Sequence, residues 1–290
     1  MNEIPSRPQF SQIDAWGLTH PGKIRPENQD HFFLGSLARG VAVECTSLPV
    51  SGTGMDFAHR LASLAVVADG VGGSAGGEEA ARIAVQGLVE AVSRFYHEAD
   101  QRESQDPEVF ARLLHEAALD CHESLVQKAG GRDAARHFAT TLTLFLGQWP
   151  HAYLLQVGDS RCYLYMDGEL SQITRDQTYA EELIRQGALT RTQAEGSRWA
   201  NILSSAMGGP EAVPVVTRVT RDWGAVVLLC SDGLTKHVPD AKIRERLADI
   251  TSAREACEQL LQDALDGGGT DNITIVIGRT VPPRGQDAHV

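Results

Sequence analysis

The sequence predicts an α+β fold, on three observations. Short runs rich in Val, Leu and Ile predict strands, apolar stripes at helical spacing predict long helices, and the two do not alternate strictly. Three strands within residues 140–166 are joined by short connections, notably Gly158-Asp159-Ser160 and the turn Asp167-Gly168. Because these connections are too short for helical crossovers, we expect antiparallel pairing there.

Each predicted strand is a short apolar segment bounded by polar or turn residues. In chain order, the strands are expected at residues 64–68, 140–146, 152–157, 161–166, 215–219, 225–230 and 273–277. Segment 225–230 is the longest apolar run, which predicts a buried strand and is far shorter than a membrane span of about 20 residues.

Helical spacing predicts three helices. The first begins near Glu78 and buries one stripe, made of Ala84, Leu88, Ala91, Val92 and Phe95. The second starts at the capping pair Asp106-Pro107, and the third starts at a capping box between Ser252 and Glu255. On the second helix, we expect His122 to be solvated.

Composition excludes several classes of protein. The 290 residues include 42% hydrophobic residues, enough for a large core, and carry a formal charge of −12. An acidic chain is a poor match for nucleic acid or for acidic membranes, so we expect neither as a partner. Five cysteines without a C-x-x-C pair are typical of reduced thiols, and no secretory leader is recognisable. We therefore expect a cytoplasmic monomer.

Several aspartates fall where predicted strands begin or end. Asp69 and Asp232 each follow an apolar strand and precede a glycine, which allows a ligand to approach the backbone closely. Asp159 ends another strand, and Asp271 precedes the last one. If they converge, these carboxylates favour Mg²⁺ or Mn²⁺ over zinc, because no His or Cys accompanies them. Taken singly, each Asp-Gly pair is also a common turn.

Six motifs in order carry a resemblance to a known family. They are GKIRPENQD at 22–30, VADGVGGSAGGEEAA at 67–81, ATTLT at 139–143, VGDSRCYLY at 157–165, CSDGLTKHV at 230–238 and GGGTDNITIVI at 267–277. With these motifs the chain resembles the metal-dependent PPM, or protein phosphatase 2C, family of Ser/Thr phosphatases in its bacterial single-domain form. The resemblance covers nearly the whole chain.

The resemblance implies a four-layer α-β-β-α sandwich, in which two antiparallel sheets are flanked by helices. It implies one phosphatase domain over residues 10–280, with a flap at about 171–209 and an insertion at about 48–59. Residues 281–290 are expected to form a disordered tail. The flap carries Ser204 and Ser205 in place of the family's usual Thr-Arg segment, so substrate preference is the property least transferable from relatives.

The resemblance also implies a site for two Mn²⁺ or Mg²⁺ ions. Asp69 would bridge both ions, and the Gly70 carbonyl would bind one of them. The other implied metal ligands are Asp232, Asp271 and Asp30, the last directly or through water. Asp159 would bind a third, weaker ion with Asp232, or would only fix a turn. Arg25 matches the arginine that clamps the phosphate.

The implied reaction is hydrolysis of phosphoserine or phosphothreonine by direct attack of a metal-bridging water, without a covalent intermediate. The implied partners are phosphorylated proteins, the targets of a cognate Ser/Thr kinase. Val71 stands where eukaryotic relatives carry a histidine proposed as general acid, so the residue that protonates the leaving group is unassigned.

Two alternatives remain open. In the first, the chain is a regulatory pseudophosphatase that binds phosphoproteins without hydrolysing them. Such proteins typically lose metal-binding aspartates, which are present here. Alternatively, it is a serine hydrolase, with Ser74 in a G-x-S-x-G string and Asp232 and His237 as the partners of Ser74. The short connections within residues 140–166 argue against the parallel sheet of a hydrolase.

Overall fold

The computed structural model describes residues 8–37, 41–48, 62–71, 75–98, 106–131 and 138–281. Three expectations from the sequence lie mostly or wholly outside these ranges: the insertion beyond Leu48, Ser74, and the tail beyond Val281.

The described residues form thirteen strands, seven α-helices and one 3₁₀ turn, at Phe10–Gln12. The strands are β1 (Ile13–His20), β2 (His31–Leu37), β3 (Val41–Thr46), β4 (Ala62–Ala68), β5 (Gly70–Val71), β6 (Ala139–Thr140), β7 (Leu142–Gln148), β8 (His151–Val157), β9 (Arg161–Met166), β10 (Glu169–Gln172), β11 (Val215–Thr220), β12 (Val226–Cys230) and β13 (Ile273–Thr280). The helices are α1 (Ala75–Glu98), α2 (Pro107–Lys128), α3 (Tyr179–Arg185), α4 (Arg191–Glu195), α5 (Asp232–Thr235), α6 (Asp240–Ala248) and α7 (Ala253–Asp266).

Two antiparallel sheets form the centre of the fold. The six-stranded sheet has the order β11-β8-β7-β4-β2-β3, and the five-stranded sheet has the order β1-β13-β12-β9-β10. A short pair, β5-β6, forms a third sheet directly after Asp69. The α+β class predicted from the sequence is confirmed.

Three apolar clusters define the layers. One cluster joins the six-stranded sheet to α1 and α2, and a second joins the five-stranded sheet to α5, α6 and α7. The third lies between the sheets and includes Phe32, Val67 and Leu229. Because side chains alternate between the two faces of a strand, strands covered on both faces are apolar along their length. The four-layer α-β-β-α sandwich is confirmed.

The antiparallel pairing expected through Gly158-Asp159-Ser160 is wrong. Strand β8 pairs with β7 and β11, so both of its edges are occupied, and β9 instead pairs with β12 and β10 in the other sheet. Gly158 adopts a φ of 100°, a left-handed conformation that favours glycine, where the chain leaves β8. The expected pairing across the turn at Asp167-Gly168 is confirmed between β9 and β10.

The predicted helices are all present. The Asp106 side chain caps α2 by accepting from the N–H of Glu108, and the Ser252 side chain caps α7 by accepting from the N–H of Glu255. The expectation that His122 is solvated is wrong, because it is buried and its Nδ1 accepts from the N–H of Gly208, 3.1 Å away. His122 therefore joins α2 to the end of the segment expected to form the flap. In the described part of the chain, no helix is long and apolar enough to cross a membrane.

Candidate metal centre

Strand pairing brings the predicted acids to one end of the sandwich. Strands β2 and β4 run antiparallel with His31 opposite Ala68, which places Asp30 and Asp69 side by side. In the other sheet, β12 and β13 run antiparallel with Cys230 opposite Ile275, which brings Asp232 and Asp271 to the same end. Asp159 lies in the loop that crosses between the sheets.

A cavity of about 570 Å³ opens at this end. Six of the seven predicted site residues line it: Arg25, Asp69, Gly70, Asp159, Asp232 and Asp271. The seventh, Asp30, lies deeper and is 1% exposed. Residues of the expected flap segment, among them Asn201 and Ile202, line the cavity on another side.

Two threonines fix the backbone of Asp69. The N–H of Asp69 donates to Thr141 Oγ1 at 3.0 Å, and its carbonyl accepts from the N–H of Thr141 at 2.9 Å and from Thr140 Oγ1 at 2.8 Å. Thr141 Oγ1 also bonds to Ser160 Oγ at 2.7 Å. These bonds fix the backbone of Asp69 against the segment that joins β6 to β7, and through Ser160 against the loop before β9.

The glycines after Asp69 and Asp232 serve chain packing. A Cβ on Gly70 would lie 2.5 Å from the carbonyl of Gly77, and a Cβ on Gly233 would lie 1.9 Å from the carbonyl oxygen of Asn272. Gly70 lies in strand β5 and Gly233 lies in helix α5, so the simple turn interpretation of these two Asp-Gly pairs is wrong. Close approach of neighbouring backbone requires glycine at both positions.

Asp30 is held by neutral donors. Its Oδ2 accepts from Ser231 Oγ at 2.8 Å and from Thr274 Oγ1 at 2.7 Å. Burial raises the pKa of Asp30 to about 7, although these two hydrogen bonds oppose the shift. The other oxygen, Oδ1, is buried and has no hydrogen-bond partner among the described residues.

Burial also raises the pKa values of other acids in the cavity. The pKa of Asp69 lies well above its ordinary value because of burial and, secondarily, the charges of Asp30 and Asp232. Burial, with the charge of Asp232, raises the pKa of Asp159 to about 8. Crowded carboxylates in a poorly solvated cavity resist ionisation unless positive charge is brought to them.

Two cations meet the acids of the five-stranded sheet. Arg25 Nε lies 2.8 Å from Asp271 Oδ1, and Lys236 Nζ lies 2.6 Å from Asp232 Oδ2 and 2.8 Å from Asp271 Oδ2. Burial raises the pKa of Asp271, but bonds and charges from Lys236 and Arg25 outweigh it, and the net shift is downward. Burial also raises the pKa of Asp232, against the opposing effect of Lys236.

Sequence reasoning missed Lys236 and Asn272. Lys236 stands four residues after Asp232, a spacing that places both side chains on one side of a helical turn. The Asn272 side chain accepts from the N–H of Gln29 and donates to the carbonyls of Pro21 and Glu27. Asn272 thus clamps the loop that carries Arg25 against the start of β13.

The donor set fits hard divalent cations. The acids offer carboxylate oxygens beside a backbone carbonyl, which Mg²⁺ and Mn²⁺ prefer, and Asp232 Oδ1, like Asp30 Oδ1, is a buried acceptor without a partner among the described residues. In the described ranges, no three acidic, histidine or cysteine side chains stand together as a ready-made ion site. Instead, Arg25 contacts Asp271, and Lys236 contacts both Asp232 and Asp271. An ion bound to these two acids would require the side chains of the acids or of the cations to change conformation.

The hydrolase alternative does not fit the fold. Its nucleophile needs a parallel sheet, whereas the strands around Asp69 pair antiparallel. Its expected histidine, His237, is engaged elsewhere, because His237 Nε2 accepts from the N–H of Thr270 at 3.0 Å.

Comparison with known proteins gives a consistent result. Residues 55–267 match a family model described as Protein phosphatase 2C. The chain is 34% identical over 227 residues to the serine/threonine protein phosphatase PstP of Mycobacterium tuberculosis, covering 78% of this chain and 42% of that relative. It is 30% identical over 227 residues to the serine/threonine phosphatase stp of Listeria innocua, covering 78% of this chain and 88% of that relative.

A solved structure shares the fold. The catalytic domain of PstP in complex with two manganese ions is 28% identical, with a TM-score of 0.69 over 93% of this chain and 99% of that one. The chain spans less than half the length of the mycobacterial relative and most of the length of the Listeria relative. The family match extends from before β4 to the residue after α7, and with these relatives it shows that the chain belongs to the protein phosphatase 2C family.

Proposed function

We propose that this protein is a metal-dependent protein Ser/Thr phosphatase that hydrolyses phosphoserine and phosphothreonine in proteins. The observation that carries the proposal is the convergence of Asp69, Asp159, Asp232 and Asp271 on one cavity that Arg25 also lines. Membership of the protein phosphatase 2C family and the Ser/Thr phosphatases among its relatives support this assignment. The proposed substrates are phosphorylated proteins, the targets of a Ser/Thr kinase.

Two Mn²⁺ or Mg²⁺ ions are the proposed cofactors, by analogy with the manganese-bound relative. The residues proposed to hold them are Asp69, the Gly70 carbonyl, Asp232 and Asp271, with Asp30 behind them and Asp159 for a third ion. When bound, such ions supply a nucleophile from water at neutral pH and neutralise charge on the transferring phosphoryl group. The hydrogen bonds from Thr140 and Thr141 hold Asp69 in place for this task.

Arg25 is the residue proposed to bind the phosphoryl group. Its side chain is 46% exposed, lines the cavity and already forms a two-nitrogen contact with the Asp271 carboxylate. A planar guanidinium forms the same paired contact with two phosphoryl oxygens. Asn272 supports this role by holding the Arg25 loop through backbone hydrogen bonds.

The decisive experiment measures hydrolysis of a phosphothreonine peptide with Mn²⁺, with excess chelator, and in the Asp69→Ala and Asp232→Ala variants. We expect chelation and each substitution to abolish turnover. Asp120→Ala removes the same charge from an exposed position on α2 and is the matched control, with turnover expected to be unchanged. Turnover that persists under chelation, or in either cavity variant, would rule out the proposed mechanism.

A further inference from the structure

Lys236 is the feature of the cavity that the proposed reaction leaves unexplained. It lies one turn after Asp232, at the end of α5, and its side chain is 31% exposed at the cavity wall. Its single ammonium contacts Asp232 Oδ2 at 2.6 Å and Asp271 Oδ2 at 2.8 Å. Both carboxylates are residues proposed to hold the divalent ions.

Contacts with Arg25 and Lys236 occupy three of the four carboxylate oxygens of Asp232 and Asp271. Asp271 has both oxygens engaged, since Arg25 Nε lies 2.8 Å from Oδ1 and Arg25 Nη2 donates to Oδ2 at 2.9 Å. Asp232 has one oxygen on Lys236, while its other oxygen is buried and has no hydrogen-bond partner among the described residues. Lys236 is thus the cation shared by the two acids.

An ammonium and a divalent ion cannot use the same oxygens without strong repulsion. Mg²⁺ binds carboxylate oxygens at about 2.0–2.1 Å, so an ammonium still bonded to those oxygens would lie within about 5 Å of the ion. Two positive charges at that separation repel strongly where water is partly excluded. Lysine has a flexible stem and carries its charge at one point, so its ammonium can withdraw while the helix stays in place.

We propose that Lys236 is an internal counter-cation that competes with divalent metal ions for Asp232 and Asp271. In the metal-free protein it holds the two acids together, and on metal binding it must withdraw. Lys236 therefore weakens metal binding and stabilises the metal-free fold. This inference rests on the metal-dependent function proposed above.

The test is a chelator competition that starts from Mn²⁺-loaded protein, so a variant does not have to fold without metal. We expect Lys236→Met and Lys236→Gln to bind Mn²⁺ about tenfold more tightly than the unmodified chain, because a nearby competing charge is removed. Lys236→Arg keeps the charge and should bind with nearly the original affinity.

Lys242→Met is the matched control. Lys242 pairs with Glu245 on the surface of α6, so this variant loses the same charge outside the cavity, and its Mn²⁺ affinity should not change. Thermal unfolding gives an independent measurement. We expect Lys236→Met to lower the melting temperature in chelator but not in saturating Mn²⁺, whereas a purely structural lysine would lower both.

The outcomes separate the two proposals. If the unmodified chain does not bind Mn²⁺, both the proposed function and this inference fail. If the unmodified chain binds Mn²⁺ and the two neutral Lys236 variants bind it equally or more weakly, the inference fails while the proposed function stands. Tighter binding in both neutral variants, with no change in Lys242→Met, supports it.

Discussion

The two sheets contribute acids to one cavity but manage the charge of these acids differently. Asp30, beside β2 of the six-stranded sheet, is held by the neutral hydroxyl groups of Ser231 and Thr274, and its pKa is raised to about 7 by burial. Asp271, beside β13 of the five-stranded sheet, is held by two cations, and its pKa is lowered. The negative charge of the crowded acids is therefore reduced in two ways. At Asp30 the carboxyl tends to keep its proton, whereas at Asp271 the positive charges of Arg25 and Lys236 balance the carboxylate.

In this comparison, we expect the largest effect from a substitution of Asp30. Asp30→Asn keeps the size of the side chain and most of its hydrogen bonds but removes the carboxylate. We expect Mn²⁺ affinity and turnover to fall by about 100-fold, the upper end of the range for residues that support a metal ligand. Chelator competition and peptide hydrolysis measure the two effects. Unchanged values for both would show that Asp30 has no part in metal binding.

A second substitution tests Arg25, one of the two cations that hold Asp271. Arg25→Lys keeps the positive charge but loses the planar fork, so binding of the phosphoryl group should weaken while the chemical step is affected less. We expect the KM for a phosphopeptide to rise by about 10-fold or more, since hydrogen bonds to charged groups are worth about 1.5–3 kcal/mol. Steady-state kinetics separate KM from kcat. Arg244→Lys, at an exposed site near Gly168, is the control. A fall in kcat alone would contradict the clamping role.

The hydroxyl donors to Asp30 give a smaller effect. Thr274→Val preserves shape in β13 but removes one of the two bonds to Asp30 Oδ2. We expect Mn²⁺ affinity at neutral pH to fall about tenfold, because residues that orient a metal ligand typically cost 10–100-fold. Thr217→Val makes the same change on β11 and should leave the affinity unaltered. Equal affinities in the two variants would show that Thr274 serves packing only.

The smallest expected signal is the release of protons. Below pH 7 the Asp30 carboxyl is mostly protonated, as is Asp159, whose pKa is raised to about 8, whereas metal binding requires the ionised forms. Mn²⁺ uptake at pH 7 should therefore release on the order of one proton, and affinity should rise from pH 6 to pH 8. Calorimetry in buffers of different ionisation enthalpy measures this number. A pH-independent affinity would show that these carboxyls are already ionised.

The site residues that could be predicted from the sequence are those that lie at the ends of recognisable strands. Asp69 and Asp232 follow apolar strands, and pairing of these strands with their neighbours was enough to bring the acids together. The pairing across Gly158-Asp159-Ser160 was predicted wrongly, because a short loop does not reveal that both edges of β8 are already occupied.

Asn272 and Lys236 were missed for different reasons. Asn272 bonds to Glu27 and Gln29, more than 240 positions away, and no local periodicity encodes such contacts. Lys236 lies after a four-residue helix, too short to show a helical pattern. His122, like Asn272, has a distant partner: Gly208 lies 86 residues further along the chain, so the burial of His122 could not be predicted from its own helix.

Asp30 has a mechanical consequence as well as an electrostatic one. It directly precedes β2 of the six-stranded sheet and accepts hydrogen bonds from Ser231, which follows β12, and from Thr274 in β13 of the five-stranded sheet, so it cross-links the two sheets at the end where the cavity opens. Separation of the sheets at this end requires both of these bonds to break. Local opening of the sandwich at this end is thereby coupled to the hydrogen bonds of one buried carboxyl group. Amide hydrogen exchange at Thr274 and at Phe32 should therefore report the same opening event.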